Sequence, residues 1–137
     1  MAIYKLFSSK DSFVYTEKPL ANTGRDELLE VGGYNTSGGG QTARTFIQFD
    51  SAELTDVLDN KAGGGAVKTN LNMYLSYAAE LPIEFDVKCY PLAESWDEGT
   101  GKFGDVPDNK TGCSWKYRES GASNHWTTGS FANFTTA

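Results

Sequence analysis

Few residues in this chain have the types and spacing that chemistry requires. His125 is the sole histidine, so a histidine metal site or a Ser-His-Asp triad would have to be built around it. It stands in Ser123-Asn124-His125-Trp126, without a second ligand or an orienting acid nearby. Because sites need convergent partners, it reads as a surface or interface histidine. Asp97, Glu98 and Asp105, with Asp108 behind them, offer oxygen ligands to a structural Ca²⁺. Their spacing matches no EF-hand loop, and the reading favoured for them is solvated turn carboxylates. A glycosidase needs two carboxylates set across a cleft. With 18 acidic residues in the chain, a pair picked from sequence has no meaning, so no catalytic residue is assigned and the chain reads as a non-enzyme. No cofactor is expected either, structural Ca²⁺ apart.

Trp96, Trp115 and Trp126 are the residues a sugar-binding role would use, since an aromatic face stacks on a sugar ring. Against that, Trp96 follows a strand and is expected to plug one end of a sandwich. For Trp126, in a polar stretch, both readings stand. Cys89 sits in an apolar alternation and is expected in the core, whereas Cys113 lies in a polar turn. Two cysteines make no disulfide framework. Arg44 is expected to pair with a carboxylate at a sheet edge. The glycine runs at 38–40 and 63–65 lack the Lys-Ser/Thr ending of a phosphate loop and read as loops.

Such residues need a scaffold, and composition narrows which one. A chain of 137 residues with 39% apolar content is one domain able to bury a core. Fifteen glycines against four prolines suit short strands and flexible turns better than a helical bundle. A net charge of −6, with no basic run longer than two residues, argues against a nucleic-acid partner. No apolar run approaches the ~20 residues of a membrane helix, and the N-terminus lacks the layout of a secretory signal.

The scaffold centres on 43–50, Ala-Arg-Thr-Phe-Ile-Gln-Phe-Asp. Thr45, Ile47 and Phe49 alternate with Arg44, Phe46 and Gln48, as in a strand. At Asp50 the period changes. Asp50 with Glu53 has capping-box spacing, and Leu54, Val57 and Leu58 stripe a short helix over 50–58. Further strands are expected at 3–7, 12–16, 27–31, 67–77 and 84–90, with a seventh at 115–117. In the second, Phe13 and Tyr15 oppose Val14. In the long one, Leu71, Met73 and Leu75 oppose Asn72 and Tyr74. The expected core is Phe49, Leu71, Met73, Leu75, Phe85 and Val87, with Asn72, Glu84 and Asp86 outside. Short alternating strands with Gly-rich turns predict an all-β antiparallel sandwich; a β-barrel would serve the pattern almost as well.

Several stretches carry a resemblance: Lys10-Asp11-Ser12-Phe13-Val14-Tyr15, Asn22-Thr23-Gly24, Leu29-Glu30-Val31-Gly32, the 43–50 strand, Leu71-Asn72-Met73-Tyr74-Leu75 and Glu94-Ser95-Trp96-Asp97-Glu98-Gly99-Thr100. As a set they resemble the DNRLRE-type jelly-roll module, which is similar to carbohydrate-binding modules. Nearly the whole chain resembles a virion structural protein of contractile-tailed phages infecting cyanobacteria. The resemblance implies a jelly-roll with one short helix near residues 51–58, a place on the virion after synthesis in the host cytoplasm, and partners among other virion proteins and copies of itself. It implies no catalytic residues.

Two functions follow as expectations. The first is a phage structural protein assembling through loops and sheet edges; the second is a carbohydrate-binding module, with a host-surface glycan as its partner. The six strands fall short of the eight of a jelly-roll, and the resembling proteins run past Ala137. The single domain at 1–137 is therefore read as the N-terminal part of a longer jelly-roll, whose missing strands come from further polypeptide or from neighbouring subunits.

Overall fold

The structure is a computed structural model that describes residues 3–76, 86–121 and 124–127. Its regular elements are β1 (Ser8–Tyr15), β2 (Gly32–Thr36), β3 (Gly39–Phe49) and α1 (Ser51–Asp56), the last continuing into a π-helical turn over Val57–Lys61. The strands form one small, open antiparallel sheet in the order β1-β3-β2.

β3 is central, as its composition predicts. Phe13 faces Thr45, Val14 faces Arg44 and Tyr15 faces Ala43 across the β1–β3 pair. Opposite residues share a face and neighbours alternate, so Val14 and Phe46 lie on one side and Phe13, Tyr15 and Ala43 on the other. Both sides are covered. Val14 and Phe46 pack with Trp96, Trp126 and Cys113 in one cluster, while Phe13, Tyr15 and Ala43 form a second with Leu29 and Phe103 against it.

The helix begins where the change of period places it. Asp50 is its N-cap, its carboxylate accepting from the amides of Ala52 (2.7 Å) and Glu53 (3.0 Å). Of the expected stripe Val57 is buried, whereas Leu54 and Leu58 remain 38% and 36% exposed. The expected apolar stripe is therefore only partly covered among the described residues.

Other expectations are corrected. Residues 3–7 are not a strand, and Ile3 and Phe7 lie in solvent. The strand expected at 27–31 lies instead at Gly32–Thr36, because Gly32 and Gly33 pair with Ala43 and Thr42 and the hairpin turns at 37–38. Residues 67–76 and 86–90 form no strand among the described residues. The expected core there is accordingly absent: Leu71 is 49% exposed, Met73 51%, Leu75 74%, Val87 49% and Phe49 36%. Alternation buries a face only once neighbouring strands set it in a sheet. Asn72 and Asp86 are exposed as expected; Phe85 and Glu84 lie outside the described residues. The cysteines exchange roles, since Cys89 is exposed, Cys113 is fully buried, and both are free thiols.

What holds the loops to one another is a polar knot around Asn22, which has no exposed surface. Its side-chain amide donates to the carbonyls of Glu98 (2.7 Å) and Cys113 (2.8 Å), and its oxygen accepts from the amides of Gly101 (2.8 Å) and Gly24 (3.2 Å). All four hydrogen-bonding positions of one amide are thus used. They join the loops at 22–24, 98–101 and 111–113. The loops approach so closely that a Cβ on Gly99 would sit 2.0 Å from the carbonyl oxygen of Thr111.

Candidate functional site

The three tryptophans come together, but as core walls. Trp96 is 4% exposed and Trp126 9%. Their rings lie 5.7 Å and 5.0 Å from that of Phe46, whose position on β3 turns it toward them. Lys10 lies over the Trp96 ring, 5.2 Å from its centroid, and donates to the Trp96 carbonyl (2.8 Å). The Trp126 indole donates to the carbonyl of Ser114 (2.9 Å), satisfying the one polar atom such a ring must bury with it. Neither ring offers the open face that sugar stacking needs. Trp115 is half-buried beneath Arg44, whose guanidinium lies 5.1 Å from its centroid. Burial lowers the Arg44 pKa from its ordinary value.

The carboxylates proposed for Ca²⁺ serve the chain itself. Glu98 accepts from the backbone amide of Asp11 (2.9 Å), Asp105 from that of Lys102 (2.9 Å), and Asp108 faces Lys18 at 3.6 Å. Asp97 binds through its backbone, donating to the carbonyl of Arg118 and accepting from the amide of Cys113. Among the described residues no group of three His, Cys, Asp or Glu side chains is placed to hold a metal ion. His125 is exposed and rests on Tyr117, ring to ring at 4.7 Å.

No protein-family model matches the chain, and no curated protein or solved structure matches it either.

The distinctive chemistry lies at the sheet edges, which sequence reasoning named only in general terms. β1 has a sealed outer edge. The Thr23 hydroxyl accepts from the Phe13 amide (3.0 Å) and donates to the Phe13 carbonyl, while Glu98 takes the Asp11 amide. Side chains thus occupy the positions a neighbouring strand would use. The Asn-Thr-Gly and Trp-Asp-Glu-Gly stretches that carry the resemblance supply both seals. β2 is the opposite edge of the sheet. Leu28 (55% exposed) and Val31 (48%) precede it, beside a shallow groove of about 240 Å³ lined by Phe13, Phe103, Leu28, Asp26, Glu27 and Glu30. Lys102 pairs with Glu27 there and lowers its carboxyl pKa. A smaller groove of about 160 Å³ lies between Leu20, Lys110, Tyr117 and Gly121.

Proposed function

We propose that this chain is a non-enzymatic structural subunit of a phage particle, made in the host cytoplasm and built into the virion by contacts with other virion proteins and with itself. Its three-stranded sheet is, on this reading, part of a jelly-roll sandwich. The observation that carries the proposal is the exposed alternating run Leu71, Met73 and Leu75 on a chain whose sheet has an edge at β2. Apolar exposure on that scale marks an interaction surface. The resemblance of nearly the whole sequence to virion proteins of contractile-tailed cyanobacterial phages points the same way.

Mass spectrometry of purified particles tests it. The chain is expected in fixed stoichiometry with the other virion proteins after gradient purification. Recovery only from the soluble lysate would refute it. The carbohydrate-binding reading draws on Trp115, which is half-buried, and on His125 exposed beside Tyr117. Glycan-array binding that disappears in Trp115→Ala would favour it.

A further inference from the structure

We infer that the outer edge of β2 is the acceptor for residues 67–76 of a second copy of this chain, which add to the sheet as a fourth strand. The inference rests on the assembly role proposed above and names its surface and partner.

Two features need a counterpart, and each supplies what the other requires. Residues 67–76 alternate apolar with polar side chains, and Val67, Leu71, Met73 and Leu75 are exposed, at 49% to 74%. A strand of that pattern requires a hydrogen-bonding edge on one side and an apolar surface beneath it. β2 provides the edge, and exposed Leu28 and Val31 adjoin it. β1 is unsuited to the task because Thr23 and Glu98 already occupy its outward backbone groups. Gly32 and Gly33 present no side chain to an approaching backbone, and a Cβ at Gly32 would meet nothing within 4 Å. Charge agrees as well: Lys68 is the only charged residue of the incoming segment, and exposed Glu30 precedes the edge.

The donor comes from another copy for a geometric reason. The segment follows a helix that begins at the Phe49 end of β3, whereas β2 pairs with residues 39–43 at the other end. At ~3.3 Å per residue, Phe49 and Ala43 lie ~20 Å apart along the strand. A segment covering that distance within its own chain would reach β2 running parallel to it. A second copy can arrive antiparallel, which is the more stable pairing.

The test uses three versions of the full chain in native mass spectrometry and in size-exclusion chromatography across a concentration series. Leu71→Lys/Met73→Lys spoils the donor, and Gly32→Lys/Gly33→Lys spoils the acceptor by placing charge on the edge. All these positions are exposed, so near-native tryptophan fluorescence is expected in both variants. Wild type is expected to associate reversibly, and each variant at least tenfold more weakly. An equimolar mixture of the two is expected to recover a heterodimer that grows no further, since it holds one intact donor and one intact acceptor. Variants that associate as well as wild type would overturn the inference. So would a mixture no better than its components, or a wild-type monomer with amides 71–75 protected from hydrogen exchange. None of these results would remove the chain from the particle, so the assembly role stands or falls separately.

Discussion

Replacing Asn22 with Ala should be among the most destabilising single changes in this chain. The side chain makes four hydrogen bonds between 2.7 and 3.2 Å while wholly buried. At about 1 kcal/mol net each, their loss alone amounts to about 4 kcal/mol. The cost does not relax away easily, because Gly99, Gly101 and Gly112 already hold the three loops at van der Waals limits. The orphaned carbonyl of Cys113 and amide of Gly101 sit where the chain is buried, out of ready reach of water. Against a typical stability of ~5–15 kcal/mol, the variant should unfold at a much lower urea concentration. Trp96 and Trp126 report the transition, since both rings lie in the core cluster that includes Cys113. Asn22→Asp is the informative companion. Its carboxylate cannot donate to the carbonyls of Glu98 and Cys113, so at neutral pH it should be at least as unstable as the alanine variant. Stability should return in part as pH falls and the acid regains a donor. A loss below ~1 kcal/mol for Asn22→Ala would refute the view that this amide ties the loops together.

Four further outcomes are expected. Thiol titration at pH 8 should count one reactive cysteine in the folded chain and two in denaturant, because Cys89 is exposed while burial pushes the Cys113 thiol up to about 11. Since Cys113 starts from an ordinary 9.0, its contribution leaves stability unchanged below pH 9 and erodes it between 9 and 11, a slope that Cys113→Ala should remove. Gly99→Ala should cost far more than Gly64→Ala in urea unfolding: both have positive φ (+81° and +70°), but only Gly99 has backbone within 2.0 Å of the added carbon. Phe46→Ala should cost ~3–5 kcal/mol, whereas Leu71→Ala in dilute monomer should cost under ~1 kcal/mol, since its side chain is already half in water.

Much of the local structure was legible because it is set by neighbours in sequence. The strand at 43–49, the opposition of Phe13 and Tyr15 to Val14, and the Asp50 cap each follow from period and residue type within a few positions. The limits appear where partners are distant. Leu71, Met73 and Leu75 have the cleanest alternation in the chain and yet lie exposed, since alternation reports fitness for a sheet without saying which edge receives the strand. Cys113 sits among polar residues but packs in one cluster with Val14 and Phe46, both far upstream in the chain. Asn22, Gly99 and Gly112 read as turn residues. Nothing local reveals that a buried amide joins carbonyls 76 and 91 residues away. The candidate site suffered most, because the tryptophans that suggested a sugar platform are spent on burial.

The Thr23 seal on β1 has a consequence for how matter can grow from this fold. A sheet with two bare flanks is a template that copies itself outward without limit, the geometry of cross-β fibrils. Here the Thr23 hydroxyl, serving Phe13 as both acceptor and donor, and the Glu98 carboxylate on the Asp11 amide make that flank a dead end. Accretion of strands can then proceed from one side alone, and the size of any assembly is governed by how whole subunits fit together. Exchanging that hydroxyl for a methyl group, as in Thr23→Val, would leave the volume nearly unchanged and the flank still covered, but would strip the buried Phe13 amide and carbonyl of their Thr23 partner.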